Sequence, residues 1–167
     1  MGWKTLVSII FLAVSINSCC VPLLQKKFYT TEYGSHRPIK SKFKLGKKPY
    51  ELKKEDNIRI DCIYKSSFTM DGSEKKGYTT FLRFFANGRY LNNVLKTDVS
   101  PLDQYNNLKK GGVGYYKVEG NKIILEEFVV GAQDCGKYHI YSLNILNDNI
   151  ESYEKIKVEG LTGKPNW

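Results

Sequence analysis

Two histidines, four cysteines and five prolines in 167 residues remove several kinds of chemistry at the outset. Neither His36 nor His139 stands at a metal-ligand spacing from the other or from a cysteine, so no metal centre is written in the chain. Four cysteines are too few for a disulfide-dense scaffold, and an aromatic fraction of 13% is too high for a disordered chain. Gly-x-Ser-x-Gly, a glycine loop ending in Lys-Ser or Lys-Thr, and a paired catalytic Cys and His are all missing. The expectation is a non-enzyme that carries no metal or cofactor. Acid is also scarce, with 17 Asp and Glu against 26 Lys and Arg, a net charge of +9. Such a balance raises nucleic acid, anionic membrane or acidic polymer as partners, and the placement of the charge decides among them.

The N-terminus reads as a targeting segment. Lys4 precedes the uncharged run Leu6 to Ile16, which is too short to cross roughly 30 Å of hydrocarbon but suits the apolar region of an export signal. A core helix would need an amphipathic face, which this run lacks. Ile16-Asn17-Ser18-Cys19 resembles the lipobox of bacterial lipoproteins. The resemblance implies cleavage before Cys19, acylation of its thiol, and a membrane anchor at the mature N-terminus. Several acyl chains anchor firmly, at about 0.8 kcal/mol per buried methylene. The competing reading is an ordinary secreted protein with Cys19 and Cys20 free or paired. The expected division is therefore a signal peptide at 1–18, a Lys-rich tether at 19–57 and a folded domain at 58–167.

The charge excess is local. Residues 25–57 hold ten basic and four acidic side chains, a net +6, whereas residues 58–167 hold fifteen against thirteen, only +2. Apolar residues in the basic stretch are sparse, follow no helical stripe, and are interrupted by Gly34, Pro38, Gly46 and Pro49. The stretch reads as an extended, partly disordered arm, with Phe43 to Leu45 touching the domain. Lys26, Lys27, Lys47 and Lys48 are the candidates for contact with anionic lipid or cell-wall polymer; the competing reading is a solvated linker. A nucleic-acid groove needs its lysines on a folded face, so nucleic acid is not expected.

From Ile58 onward short apolar runs alternate with turn signals. Ile58 to Tyr64 alternates as a half-buried strand. Tyr78 to Phe85 and Arg89 to Leu95 flank Asn87-Gly88, a pair suited to a tight hairpin. Tyr115 to Glu119 and Lys122 to Val130 flank Gly120-Asn121, and Tyr138 to Leu146 and Ile150 to Lys157 flank Asn147-Asp148-Asn149. Ser100 to Lys109 is the single helical candidate, with Pro101 at its first position. The pattern predicts an all-β fold: an antiparallel up-and-down meander of about seven strands, closed or half-open as a barrel, with at most one short helix. The runs Phe81 to Tyr90 and Gly114 to Glu126 resemble the repeated hairpins of small lipocalin-like lipoproteins of the Bacteroidetes type. That likeness implies a barrel, an apolar cavity, and, since no acidic cluster follows Cys19, a periplasm-facing anchor in the cell membrane or outer membrane.

Few residues in the domain invite a functional reading. Cys62 and Cys135 either form a disulfide, permitted in an oxidising compartment, or remain separate thiols. Gly111-Gly112-Val113-Gly114 precedes a strand, so it lacks the helix that would hold a phosphate and reads as a flexible strand start. Glu126 and Glu127 point to opposite faces of one strand, one expected in solvent and the other near a rim. Phe81, Phe85, Tyr115 and Tyr141 are the candidates for a ligand or partner surface, because aromatics occur on both faces of the strands that carry them. Two functions follow: a lipid-anchored envelope protein whose β domain binds a small apolar ligand or an envelope component, or an interaction module with a filled core. A cavity separates them.

Overall fold

The computed structural model describes residues 2–3, 27–69, 77–96, 100–131, 134–146 and 149–167. The all-β expectation holds. A hairpin of β1 (Phe28–Thr30) and β2 (His36–Pro38) precedes β3 (Cys62–Thr69), β4 (Gly77–Phe84) and β5 (Arg89–Leu95). A six-residue helix, α1 (Pro101–Asn106), leads to β6 (Gly112–Glu119), β7 (Lys122–Val129), β8 (Lys137–Leu146), β9 (Asn149–Ile150) and β10 (Glu154–Lys157). The main sheet has eight strands in the order β10-β3-β4-β5-β6-β7-β8-β9, antiparallel between all neighbours whose register is given. Its two edges meet at the Ile150–Tyr153 bridge, so the meander is a nearly closed barrel and leaves little free edge.

Two departures from the expected pattern have local causes. The first strand of the barrel starts at Cys62, because Ile58 turns inward as part of a plug. The last hairpin is cut short: Ser152 takes φ 66° and redirects the chain, so β10 leaves β8 and pairs with β3. The Asn87-Gly88 turn is as predicted, with Gly88 at φ 71°.

Strand alternation sorts the side chains into an inner and an outer layer. Inside lie Tyr64, Leu82, Phe84, Tyr90, Tyr116, Ile123, Leu125, Ile145 and Ile150. Outside, Ile63, Phe81, Phe85, Leu91 and Val113 pack under α1 and the segment carrying Val158, Leu161 and Trp167. Arg83 pins that cover, donating to the carbonyls of Tyr105 (2.9 Å) and Thr162 (2.8 Å) while its guanidinium lies 4.7 Å from the Phe85 ring centroid.

Residues 27–57 are not a loose tether, because three anchors dock them on the barrel. Arg37 is buried and donates to the carbonyls of Gly111 (2.7 Å) and Leu108 (3.2 Å). Phe43 is buried against Tyr115 and Tyr138, with ring centroids 5.0 and 4.8 Å away, as the expected contact at Phe43 to Leu45 requires. The backbone N–H groups of Lys44 and Leu45 donate to the two carboxylate oxygens of Glu126 at 2.9 and 2.7 Å. Glu126 is fully buried, neither in solvent nor at a rim as expected of the pair, because those amides satisfy its charge. Sparse apolar residues conceal this docking from periodicity, since one aromatic and two polar clamps do the holding.

Candidate functional site

The two ends of the barrel are packed differently. One end is solid. Phe84 meets Tyr64 and Tyr116 edge-on at centroid distances of 5.4 and 4.9 Å, and Tyr50, Leu52 and Ile58 of the arm pack against this cluster. The polar ends of its tyrosines are satisfied: the Tyr116 hydroxyl donates to the Phe85 carbonyl (2.8 Å), and the Tyr64 hydroxyl accepts from the Arg59 N–H (3.0 Å). Tyr50 donates to Asp56 (2.8 Å), and burial followed by that carboxylate pushes its pKa up to about 12.

The other end is thinned by glycine. Gly112 and Gly114 share the inner face of β6 with Asn92 and Tyr90 as cross-strand partners. A Cβ at Gly112 would collide with the Asn92 side chain, and one at Gly114 with the Tyr90 ring. With both side chains missing, Asn92 on β5 reaches past β6 and donates to Glu127 on β7 at 2.9 Å. The glycine run is therefore a close-packing device, not merely a flexible strand start.

A cavity of about 390 Å³ opens here, lined by Thr80, Phe81, Leu82, Asn92, Asn93, Val94, Gly111, Gly112, Tyr141 and Tyr153. It falls within the range of small-molecule sites. Glu127 lies beside it and carries the charge of the cluster. Burial raises its pKa, while the Asn92 hydrogen bond and His139 act in the opposite direction. Tyr90, Tyr141 and Tyr153 all feel the Glu127 carboxylate, and burial raises the pKa of each, that of Tyr141 to about 12. These phenols stay protonated at neutral pH. The Tyr90 hydroxyl approaches Tyr141, yet it is buried without a partner in hydrogen-bonding geometry.

Of the four aromatic candidates, Phe81 and Tyr141 line this cavity. Phe85 and Tyr115 do not form a ligand or partner surface. Phe85 is buried against Trp167 at a centroid distance of 6.0 Å, and Tyr115 beneath Phe43 with its hydroxyl donating to the Trp167 carbonyl at 2.6 Å. Aromatics on both strand faces were legible in the sequence; the tail that covers Phe85 and Tyr115 was not.

The Cys62–Cys135 bridge is not formed. Cys62 is a free, buried thiol, and Cys135 is disulfide-bonded to a cysteine other than Cys62. Cys62 opens β3 and Cys135 sits between β7 and β8, with β4, β5 and β6 intervening in the sheet. Burial first, then Asp61, raises the Cys62 pKa, which leaves a weak nucleophile. Lys27, Lys47 and Lys48 are exposed as membrane or wall contact requires, whereas Lys26 and Cys19 lie outside the described residues. Lys27, Lys40 and Lys42 rim a second pocket of about 250 Å³ floored by Phe128 and Tyr138.

Sequence reasoning passed over Asn92, and it considered Glu127 and Tyr153 without joining them in one site. The available signal was the i, i+2 glycine pair at 112 and 114, which marks one strand face as empty. Among the described residues no group of His, Cys, Asp and Glu is placed to hold a metal ion. No known protein family, curated protein or solved structure shows significant similarity to the chain.

Proposed function

We propose that this chain is a lipid-anchored cell-envelope protein whose barrel binds a small molecule at its open end without catalysing a reaction. The observation that carries the binding reading is a cavity of about 390 Å³ lined by Asn92, Gly112, Tyr141 and Tyr153 among others, at the end of the lumen away from the Phe84, Tyr64 and Tyr116 cluster. A filled interaction module has no need of that hollow. The mixed lining of Thr80, Asn92, Tyr141 and Tyr153 suits a ligand that forms hydrogen bonds as well as apolar contacts.

The anchor reading rests on Ile16-Asn17-Ser18-Cys19, and a periplasm-facing position on the lack of acidic residues after Cys19. The exposed lysines of the arm, Lys27, Lys47 and Lys48, then face anionic lipid or wall polymer from a folded support. Two measurements test the two halves of the proposal. A fragment screen by amide chemical shifts should find ligands that move residues 80–82, 92–94 and 111–112, and a screen without such hits contradicts binding. The mass of the mature N-terminus should show a lipid that Cys19→Ala abolishes, and an unmodified wild-type N-terminus contradicts the anchor.

A further inference from the structure

We infer that the open chamber takes a small organic cation, an alkylammonium head that docks on Glu127 among Tyr90, Tyr141 and Tyr153. This rests on the chamber being a ligand site and adds the class of ligand. Three observations converge on it.

Glu127 is a half-buried carboxylate without a cationic partner of its own. No described Lys or Arg pairs with it, and the charged group that bears on it is His139, an exposed residue opposite it in the β7–β8 register. That histidine is exposed, so solvent screens whatever compensation it offers. Asn92 donates to one carboxylate oxygen, and no described donor takes the other.

The neighbouring phenol oxygens can accept as well as donate. The Tyr90 oxygen is completely buried and unpartnered, next to the Tyr141 hydroxyl and the Glu127 carboxylate. An ammonium group has three donors and no acceptor, so it can serve Glu127, Tyr90 and Tyr141 together. A carboxylate ligand would meet like charge. A neutral polyol would satisfy hydrogen bonds but leave the charge of Glu127 uncompensated.

The cavity wall is free of positive charge. Its lining consists of Thr80, two asparagines, two glycines, two tyrosines and the apolar residues Phe81, Leu82 and Val94, which fits an alkyl or aryl body behind a charged head. Tyrosine rings additionally attract cations through their faces.

The test is calorimetric titration of the full-length protein with hexylammonium, hexan-1-ol, hexanoate and glucose. Hexylammonium should bind at least about tenfold more tightly than hexan-1-ol, the gain that one charge-assisted hydrogen bond supplies. In Glu127→Gln that ratio should fall to about one, with the melting temperature confirming a folded variant; in Tyr141→Phe the ratio should shrink about threefold. Equal binding of hexan-1-ol or hexanoate, or binding of glucose alone, overturns the cation while leaving the chamber standing. Binding of none of the four overturns the chamber and the cation together.

Discussion

The same strands build both ends of the barrel, and the two ends are suited to opposite tasks. Phe84, Tyr64 and Tyr116 fill one end, with Tyr50, Leu52 and Ile58 of the arm closing it. Four residues along the inner face of β6 mark the difference: Tyr116 and Val118 fill one half themselves, and Gly112 and Gly114 admit the Asn92 and Tyr90 side chains in the other. Aromatic packing that would stabilise the open end is given up there, and a half-buried carboxylate is left in its place. Loss of packing in one half of a small barrel is tolerable because the arm, α1 and the C-terminal segment cover the outer face. Stability is concentrated where the lumen is full, and the proposed binding site lies where it is not.

The comparison breaks most visibly if core truncations cost the same at both ends. Phe84→Ala should destabilise the protein by about 3–5 kcal/mol, and Tyr141→Ala, at the half-buried cavity wall, by about 1 kcal/mol or less, as read from urea unfolding. The adjacent pair Glu126 and Glu127 sharpens the contrast within one strand. Glu126→Ala removes the acceptor of two part-buried amides and should cost about 2–3 kcal/mol, with faster hydrogen exchange at the Leu45 amide.

Glu127→Gln should instead stabilise slightly. Its carboxyl pKa is raised by burial, so folding favours the protonated form, and the charged form at neutral pH carries a penalty. That penalty is absent below the carboxylate range and fully present above the raised value. The variant should therefore melt about 2 °C or less above wild type at pH 7, and the difference should vanish as the pH falls toward about 4. The smallest change concerns the thiols. Cys135→Ser should alter nonreducing electrophoretic mobility and Cys62→Ser should not; the reverse result contradicts the assignment of Cys62 as free.

Hairpins were legible in the sequence where alternation and turn residues agree. The β4–β5 pair, with Asn87-Gly88, and the β6–β7 pair, with Gly120-Asn121, fall within three residues of the expected positions. Long-range closure was not legible, because β10 is recruited to β3 by a backbone turn at Ser152 that has no glycine to announce it. The arm was misread for a related reason. Arg37, Phe43 and the Glu126 clamp are single anchors, and composition averages them away beneath ten basic residues. At the site, Phe81 and Tyr141 were identified from aromatic content, while Glu127 became meaningful only when the inward glycines connected it to Asn92 across an intervening strand.

The most direct test of the asymmetric lumen is a two-dimensional amide NMR titration of the full-length protein with hexylammonium. The account predicts saturable shifts at residues 80–82, 92–94, 111–112, 141 and 153, and none beyond noise at 64, 84, 116 and 123. Shifts centred on the solid end, or none at the open end at millimolar ligand, would contradict it.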